Sequence, residues 1–267
     1  MPVVVITKSL ENSEEAYSLL QSRGLSYLHF PCIEFAIPSD AYASLDKVIR
    51  ENHHYDWVFF LSRKAAESFF SRLIELGGHL FHLSPRLKIA CVGKTTADFV
   101  VNEIGFPVNF IPSKFNSETL VTEFLQELAA SGAASGLDPL EVILPRAEAV
   151  NDELILQLEA DSRVKVTLVD AYRTCKPVSI LFSEWDALID SQDELFINFT
   201  SSQIVKNFKT ILGEKRFAKF ITRTNVHIIS IGPQTSMTIR NELPELASSL
   251  QEASEATIPA MLDLVVI

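Results

Sequence analysis

Glycine is scarce in this sequence, with nine residues in 267. No G-x-G-x-x-G occurs, which removes the usual fingerprint of a dinucleotide site. Gly93-Lys94-Thr95-Thr96 imitates the end of a phosphate-binding loop. The full motif needs a further glycine five residues before the Gly-Lys pair, and that position is Lys88. The apolar run Ile89 to Val92 leads straight into Gly93 and leaves no room for such a loop. Cysteine is also rare. Cys32, Cys91 and Cys175 are odd in number and far apart, and no C-x-x-C occurs. That argues against a disulfide framework or a cysteine zinc site. It suits reduced thiols in a cytoplasmic compartment. The six histidines are scattered, with no H-E-x-x-H and no Cys-His cluster, so no metal site is expected. No G-x-S-x-G elbow is present, which argues against a serine hydrolase. No basic stretch precedes the first apolar run, which reads as a strand rather than a signal peptide. No apolar run approaches the ~18 residues of a membrane span, and the apolar tail Leu264 to Ile267 is too short to anchor the chain. Positive charge is in deficit, giving a formal net charge of -11. Nucleic acid is therefore not an expected partner, although a basic cleft can coexist with an acidic exterior.

What the sequence does contain is repetition. The length allows one large domain or two small ones. Three short blocks occur twice in the same order. Val4-Val5-Ile6-Thr7-Lys8 matches Val142-Ile143-Leu144-Pro145-Arg146. Phe59-Phe60-Leu61-Ser62 matches Asn198-Phe199-Thr200-Ser201. Ile89-Ala90-Cys91-Val92-Gly93 matches Ile228-Ile229-Ser230-Ile231-Gly232. The offsets are 138 residues for Lys8 to Arg146 and 139 for both Ser62 to Ser201 and Gly93 to Gly232. A near-constant offset across three blocks marks two copies of one unit.

Each block is a short apolar run, a polar turn and then a helical pattern. After Ser62, apolar residues fall at Ala65, Ala66, Phe69, Phe70, Leu73 and Ile74, and after Ser201 at Ile204, Val205, Phe208, Ile211 and Leu212. That three- and four-residue spacing predicts helices. After Gly93 a helix is predicted to about Ile104, ending at Gly105. The apolar runs do not alternate, as expected of parallel strands covered on both faces. Each copy therefore reads as a small doubly wound α/β domain. Ala129 to Gly136, followed by Asp138-Pro139, reads as a surface loop. Phe35 to Ser39 and Tyr172 to Pro177 both look extended, and either suits an interdomain strand.

The turns after the strands are rich in hydroxyls and small residues: Ser62-Arg63-Lys64, Gly93-Lys94-Thr95-Thr96, Ser201-Ser202 and Gly232-Pro233-Gln234-Thr235-Ser236. In a parallel α/β sheet such turns lie at the carboxyl ends of the strands, where ligands bind. Helix N-termini there offer free N–H groups that suit carboxylates. Ser62, Ser201 and Thr235 are equally readable as simple N-caps. Gly93 and Gly232, two of so few glycines at matching turns, point to a close backbone approach by a ligand. Lys8, Arg63, Lys64, Lys94 and Arg146 fall on the same loop edges. Each alone reads as a solvated charge, but together they imply a polyanionic ligand of small-molecule size.

These motifs, in their order and spacing, resemble the uroporphyrinogen-III synthase family along nearly the whole chain. The carriers are Asp56-Trp57-Val58-Phe59-Phe60-Leu61-Ser62, Val92-Gly93-Lys94-Thr95-Thr96-Ala97, Leu144-Pro145-Arg146-Ala147 and Ala171-Tyr172-Arg173-Thr174. Asn198-Phe199-Thr200-Ser201-Ser202, Ile231-Gly232-Pro233-Gln234-Thr235-Ser236 and the tail Ala253 to Leu262 complete the set. One departure is Thr7-Lys8-Ser9, where many members have Thr-Arg-Pro. It keeps the charge and loses a bidentate grip on carboxylate. The resemblance implies two flavodoxin-like α/β domains joined by a two-stranded linker. Residues 1–35 with 175–267 would form one and residues 40–170 the other, with linkers near 36–39 and 171–174. The repeat alone suggests a simple cut near residue 135. The resemblance also implies a linear tetrapyrrole polycarboxylate, hydroxymethylbilane, as substrate. The ring would be closed with inversion of its last pyrrole and loss of water, without metal or cofactor. Tyr172 matches the tyrosine favoured in the family as general acid or orienting group for the leaving hydroxyl. A packed linker tyrosine is the plainer reading. Thr96, Ser201 and Thr235 match hydroxyls lining the family's cleft, and Gln234 is expected near it. A monomer, with no membrane or nucleic-acid partner, is expected. The main alternative is a non-enzymatic two-domain binding protein or sensor for an anionic small molecule. A sugar transferase would carry paired acids at these turns, and none is found.

Overall fold

A computed structural model describes residues 1–79, 82–131, 138–148 and 153–266. In chain order the elements begin with β1 (Pro2–Ile6), α1 (Glu14–Ser22), β2 (Ser26–His29), β3 (Glu34–Ala36) and α2 (Ala43–Arg50). There follow β4 (Trp57–Phe60), α3 (Arg63–Glu75), β5 (Lys88–Cys91), α4 (Lys94–Asp98), α5 (Ser117–Ser131), β6 (Leu140–Ala147), α6 (Glu153–Ala160) and β7 (Val164–Cys175). The last third holds α7 (Phe182–Asp190), β8 (Glu194–Phe199), α8 (Ser202–Ile221), β9 (Val226–Ser230), α9 (Pro233–Glu242), β10 (Leu250–Glu252) and α10 (Ile258–Leu262).

The strands are short runs of β-branched and aromatic residues, such as Val3-Val4-Val5-Ile6 and Trp57-Val58-Phe59-Phe60. They form two five-stranded sheets, ordered β10-β9-β8-β1-β2 and β3-β7-β6-β4-β5. The chain divides into two compact units, Met1–Phe35 with Thr174–Ile267 (unit 1) and Ala36–Arg173 (unit 2). The simple cut near residue 135 is not what forms. Hydrogen bonding instead sets β1 between β2 and β8, parallel to both.

The sequence repeat reappears in the register of these sheets. Val4 pairs with Phe196 in unit 1, and Val142 pairs with Trp57 in unit 2. Val4 also pairs with Tyr27, and Val142 with Val166. Phe196 pairs with His227, and Trp57 with Lys88. Each partner differs by the same offset as the sequence blocks. An isolated parallel bridge between Ala90 and Phe110 stands where β9 pairs with β10 in unit 1. Over four strands the two units thus share one order, β9-β8-β1-β2 in unit 1 and β5-β4-β6-β7 in unit 2, entered by the chain at different strands, with β3 added outside β7.

Both faces of each sheet are covered, which explains the missing alternation. In unit 1, Val5, Ile197 and Ile228 face Trp185, Phe208 and Ile239, while Val4, Phe196 and Ile229 face Leu20, Met261 and Leu262. In unit 2, Val58, Ile89 and Ile143 face Leu45, Phe69 and Phe70, while Phe59, Ala90 and Val142 face Leu120, Phe124 and Leu158.

Two expectations change in detail. The helix after Gly93 reaches Ile104 and ends at a left-handed Gly105, but Phe99–Ile104 is π-helical. The segment from Ala129 opens in helix, because α5 extends through Ser131. Residues 132–136 of that segment lie outside the described residues.

Phe208 is fully buried and its ring packs on Phe30, Trp185, Phe199 and Phe220, with centroids 5.1 to 6.2 Å away. Phe208→Ala is expected to cost about 3 to 5 kcal/mol, read from the shift of the urea unfolding midpoint.

Candidate active site at the carboxyl edges of the two sheets

A parallel sheet of this order has a switch point where successive strands leave in opposite directions. In unit 1 it lies between β1 and β8, and in unit 2 between β6 and β4. The turn residues Lys8 and Ser201-Ser202 flank the first. Arg146 and Ser62 flank the second.

In unit 1, Ser201 has extended backbone and caps α8, its hydroxyl accepting from the Ile204 N–H at 3.3 Å. The Ser202 and Thr238 hydroxyls lie 2.8 Å apart, and the Thr238 hydroxyl is 2.9 Å from the Gln234 carbonyl, which accepts, so this turn is stapled to α9. Gly232 is the N-cap of α9 and offers no side chain to the helix start. Its φ of 171° is extended backbone open to any residue, and a Cβ there would meet nothing within 4 Å. Neither conformation nor packing among the described residues requires this glycine. The turn is therefore bare and accessible from outside. Gln234 is exposed beside it, and Lys8 is half-buried, its carbonyl contacting the His29 ring at 3.0 Å.

Thr235 and Ser236 differ from expectation. Thr235 is not a cap but the third residue of α9, and it is only 4% exposed. Ser236 is fully buried, 2.6 Å from the Ser230 hydroxyl, and donates to the Glu252 carboxylate at 2.6 Å. That network ties β9, α9 and β10 together, so Ser236 sits behind the turn rather than on its surface.

In unit 2, Ser62 caps α3 as Ser201 caps α8, accepting from the Ala65 N–H at 3.1 Å. The cap reading therefore holds at these two serines. Arg63 is committed within the chain. It donates to Glu67 at 2.7 Å, pairs with Glu103 at 2.9 Å, and lies over the Phe99 ring. The groove along α3, lined by Arg63, Lys64, Glu67, Arg72 and Glu103, follows the helix instead of crossing the strand ends. Lys94 and Thr95 are exposed at the start of α4, whereas Thr96 is 4% exposed. Gly93 has a reason that the sequence did not show. A Cβ there would stand 2.8 Å from the Phe115 Cβ, so its smallness serves a side chain of this chain. The Arg146 Nε is 4.0 Å from Asp170. Burial raises the Asp170 carboxyl above its ordinary pKa, and the Arg146 charge opposes that shift.

Tyr172 owes its direction to a bulge. Arg146 pairs with Asp170, but Ala147 pairs with Tyr172, so Ala171 is an extra residue in β7. A bulge re-aims the side chains that follow it. Strict alternation would send Tyr172 to the face opposite Ala171. Instead Val169, Ala171 and Tyr172 all lie against the same buried cluster. The phenol oxygen thereby comes within 3.4 Å of the Ser62 hydroxyl, a long contact. Burial pushes the phenol pKa up, the Ser62 contact opposes this, and the Glu67 charge adds to it. The group stays protonated through neutral pH. With the Ser62 hydroxyl donating to the Tyr172 oxygen, Ala65 N–H, Ser62 and Tyr172 form one donor chain.

Compared with known proteins, residues 14–263 match the family described as uroporphyrinogen-III synthase HemD. The chain belongs to the uroporphyrinogen-III synthase family. A uroporphyrinogen-III synthase of Synechococcus elongatus is 28% identical over 93% of this chain and 89% of its own length. A putative uroporphyrinogen-III synthase of Methanothermobacter thermautotrophicus is 28% identical over 87% of this chain and 86% of its own. Among solved structures, the uroporphyrinogen-III synthetase of Helicobacter pylori aligns with a TM-score of 0.57 at 19% identity. It covers 98% of this chain and 96% of that one. A mutant uroporphyrinogen III synthase from Thermus thermophilus aligns at 0.55 and 14% identity, with the same coverage. These two share the fold, and the two-domain parallel α/β architecture is that of the family.

Substitutions separate the two jobs of Ser62. Ser62→Ala should cost about 0.5 to 2 kcal/mol as a lost cap, and Ser62→Gly only a few tenths. Both remove the Tyr172 contact, so equal loss of activity with unequal loss of melting temperature is expected. The raised Tyr172 pKa has a defined sign. It adds stability that is fully present below the unfolded-state pKa and lost as pH rises through the folded-state value. Above pH 10, Tyr172→Phe should therefore lose less stability than the parent, measured by urea unfolding at stepped alkaline pH.

Proposed function

We propose that this chain is a cyclising lyase that converts hydroxymethylbilane to uroporphyrinogen III, with loss of water and inversion of the last pyrrole. The observation that carries the proposal is the family match over residues 14–263. The site chemistry supports it. Both sheets end in turns that carry hydroxyls, a bare or closely packed glycine and lysine or arginine, which suits a ligand rich in carboxylates. The half-buried Lys8 and the exposed Lys94 supply cations, one in each unit. Arg146 adds a third, close to Asp170. Arg63 is the weakest candidate for substrate contact, since Glu67 and Glu103 already hold it. Ser236 and Thr96 act from beneath the turns because both are buried.

The reaction begins when the terminal C–O bond breaks. The pyrrole nitrogen lone pair pushes, and the oxygen leaves as water after taking a proton. The substituted carbon of the last pyrrole attacks the resulting azafulvene. The spiro intermediate then fragments and recombines with that ring inverted. In this reading Tyr172 hydrogen-bonds to the departing hydroxyl, backed by Ser62. A phenol held above its ordinary pKa is a weak proton donor. Its contribution lies in polarising the leaving group as the bond stretches, an interaction strongest in the transition state. The remaining task is positional, since an unguided chain closes without inversion. The three unpaired cysteines, Cys32 and Cys91 among them buried, suit the reducing cytoplasm.

Supplying hydroxymethylbilane should give predominantly the type III isomer, faster than spontaneous closure, by chromatographic isomer analysis. Type I product alone from folded protein overturns the proposal and favours the binding-protein alternative. Tyr172→Phe should lower kcat by about a hundredfold, the low end for a positioned acid, with the melting temperature nearly kept. Lys94→Glu and Arg146→Glu should raise KM, with a difference from the parent that shrinks in high salt.

A further inference from the structure

The two units match in register until the segment that follows their last paired strand, and there they part. In unit 1 that segment leads to Thr257, which caps α10 by accepting from the Ala260 N–H at 3.3 Å. In unit 2 it leads from the Phe110 bridge to Asn116, which accepts from the Thr119 N–H at 2.8 Å at the start of α5. The residue before the cap is Ala256 in one unit and Phe115 in the other. The alanine fits an ordinary loop. The phenylalanine is 64% exposed, and its Cβ closes over Gly93 at the β5-to-α4 turn. At the matching turn of unit 1, Gly232 is bare.

Phe115 is also held in place. The Ser113 N–H donates to Glu123 at 2.8 Å, and the Ser113 hydroxyl donates to the same carboxylate. The Asn116 side chain fixes the other side of Phe115. An aromatic ring ordered by its neighbours yet left mostly in water gains little for the folded chain. It gains most from a flat apolar partner that arrives later. Lys94, next in sequence to Gly93, is exposed and makes no ion pair among the described residues. Ring and cation therefore flank one turn.

We propose that Phe115 is a positioning residue whose ring face stacks on one pyrrole of the substrate, while Lys94 meets a carboxylate at that pyrrole's rim. This rests on the functional reading above. A linear tetrapyrrole repeats one pattern, a planar π-ring edged with acidic side chains. A fixed aromatic beside a free cation matches that pattern ring by ring. Gripping one pyrrole restrains the chain against which the last ring must turn.

The test is steady-state kinetics with hydroxymethylbilane on the parent and on Phe115→Ala, Phe115→Leu and Phe115→Trp, with isomer analysis and melting temperatures. Stacking is worth about two- to tenfold in binding. KM should rise by that factor in the alanine and leucine variants and stay within twofold in the tryptophan variant. The type I fraction should rise in the first two, and melting temperatures should hold because the ring is exposed. A parent that forms type III product while Phe115→Ala keeps its KM and isomer ratio overturns the assignment. So does a leucine variant that behaves like the tryptophan variant, since apolar bulk would then suffice. A parent that forms only type I product overturns the functional reading, and this assignment with it.

Discussion

A parallel strand cannot return to its neighbour through a hairpin, so every connection must climb back over a face of the sheet. In this protein that constraint covers both faces of both sheets with helices. Side chains along the strands are thereby spent on the cores. At the strand ends each turn opens into a helix and leaves N–H groups to be satisfied. Ser62 and Ser201 satisfy some of them from within. The turns at Gly93 and Gly232 provide no side-chain cap.

On this shared frame the two units are not equivalent. The register agrees pair by pair across three strand pairings. The differences sit at the edges. Tyr172 follows the bulge in β7, while the residue at the repeat offset in unit 1 is Ile33, which packs on the core. Phe115 overlies one glycine turn, and no described residue overlies the other. The duplicated unit thus presents two similar sets of turns that differ at Tyr172 and at Phe115.

The repeat, the parallel class and the placing of the turns were legible because they rest on local pattern. Apolar runs without alternation and a constant offset carry that information in consecutive residues. The rest depends on partners distant in sequence. The commitment of Arg63 to Glu103 spans forty residues, and the burial of Ser236 depends on Glu252. The reason for Gly93 is Phe115, which no turn rule could supply. The bulge that aims Tyr172 is one unpaired alanine within an unbroken apolar and polar stretch, invisible until both strands are in register. Ser62 and Ser201 were readable as caps because extended backbone before a helix is itself a local property.

The path of the chain through its two sheets sets an order of events during synthesis. Unit 2 is one continuous stretch, Ala36–Arg173, and its strands can pair as soon as that stretch has left the ribosome. The opening segment cannot. The Thr7 hydroxyl donates to the carbonyl of Asn198, 191 residues downstream, and β1 is the strand to which both β2 and β8 attach. At roughly 5 to 20 residues per second, the first 35 residues wait on the order of ten seconds or longer for β8 to emerge. During that wait the edge of Val3-Val4-Val5-Ile6 that takes β8 stays unpaired. The first segment made is among the last to be secured.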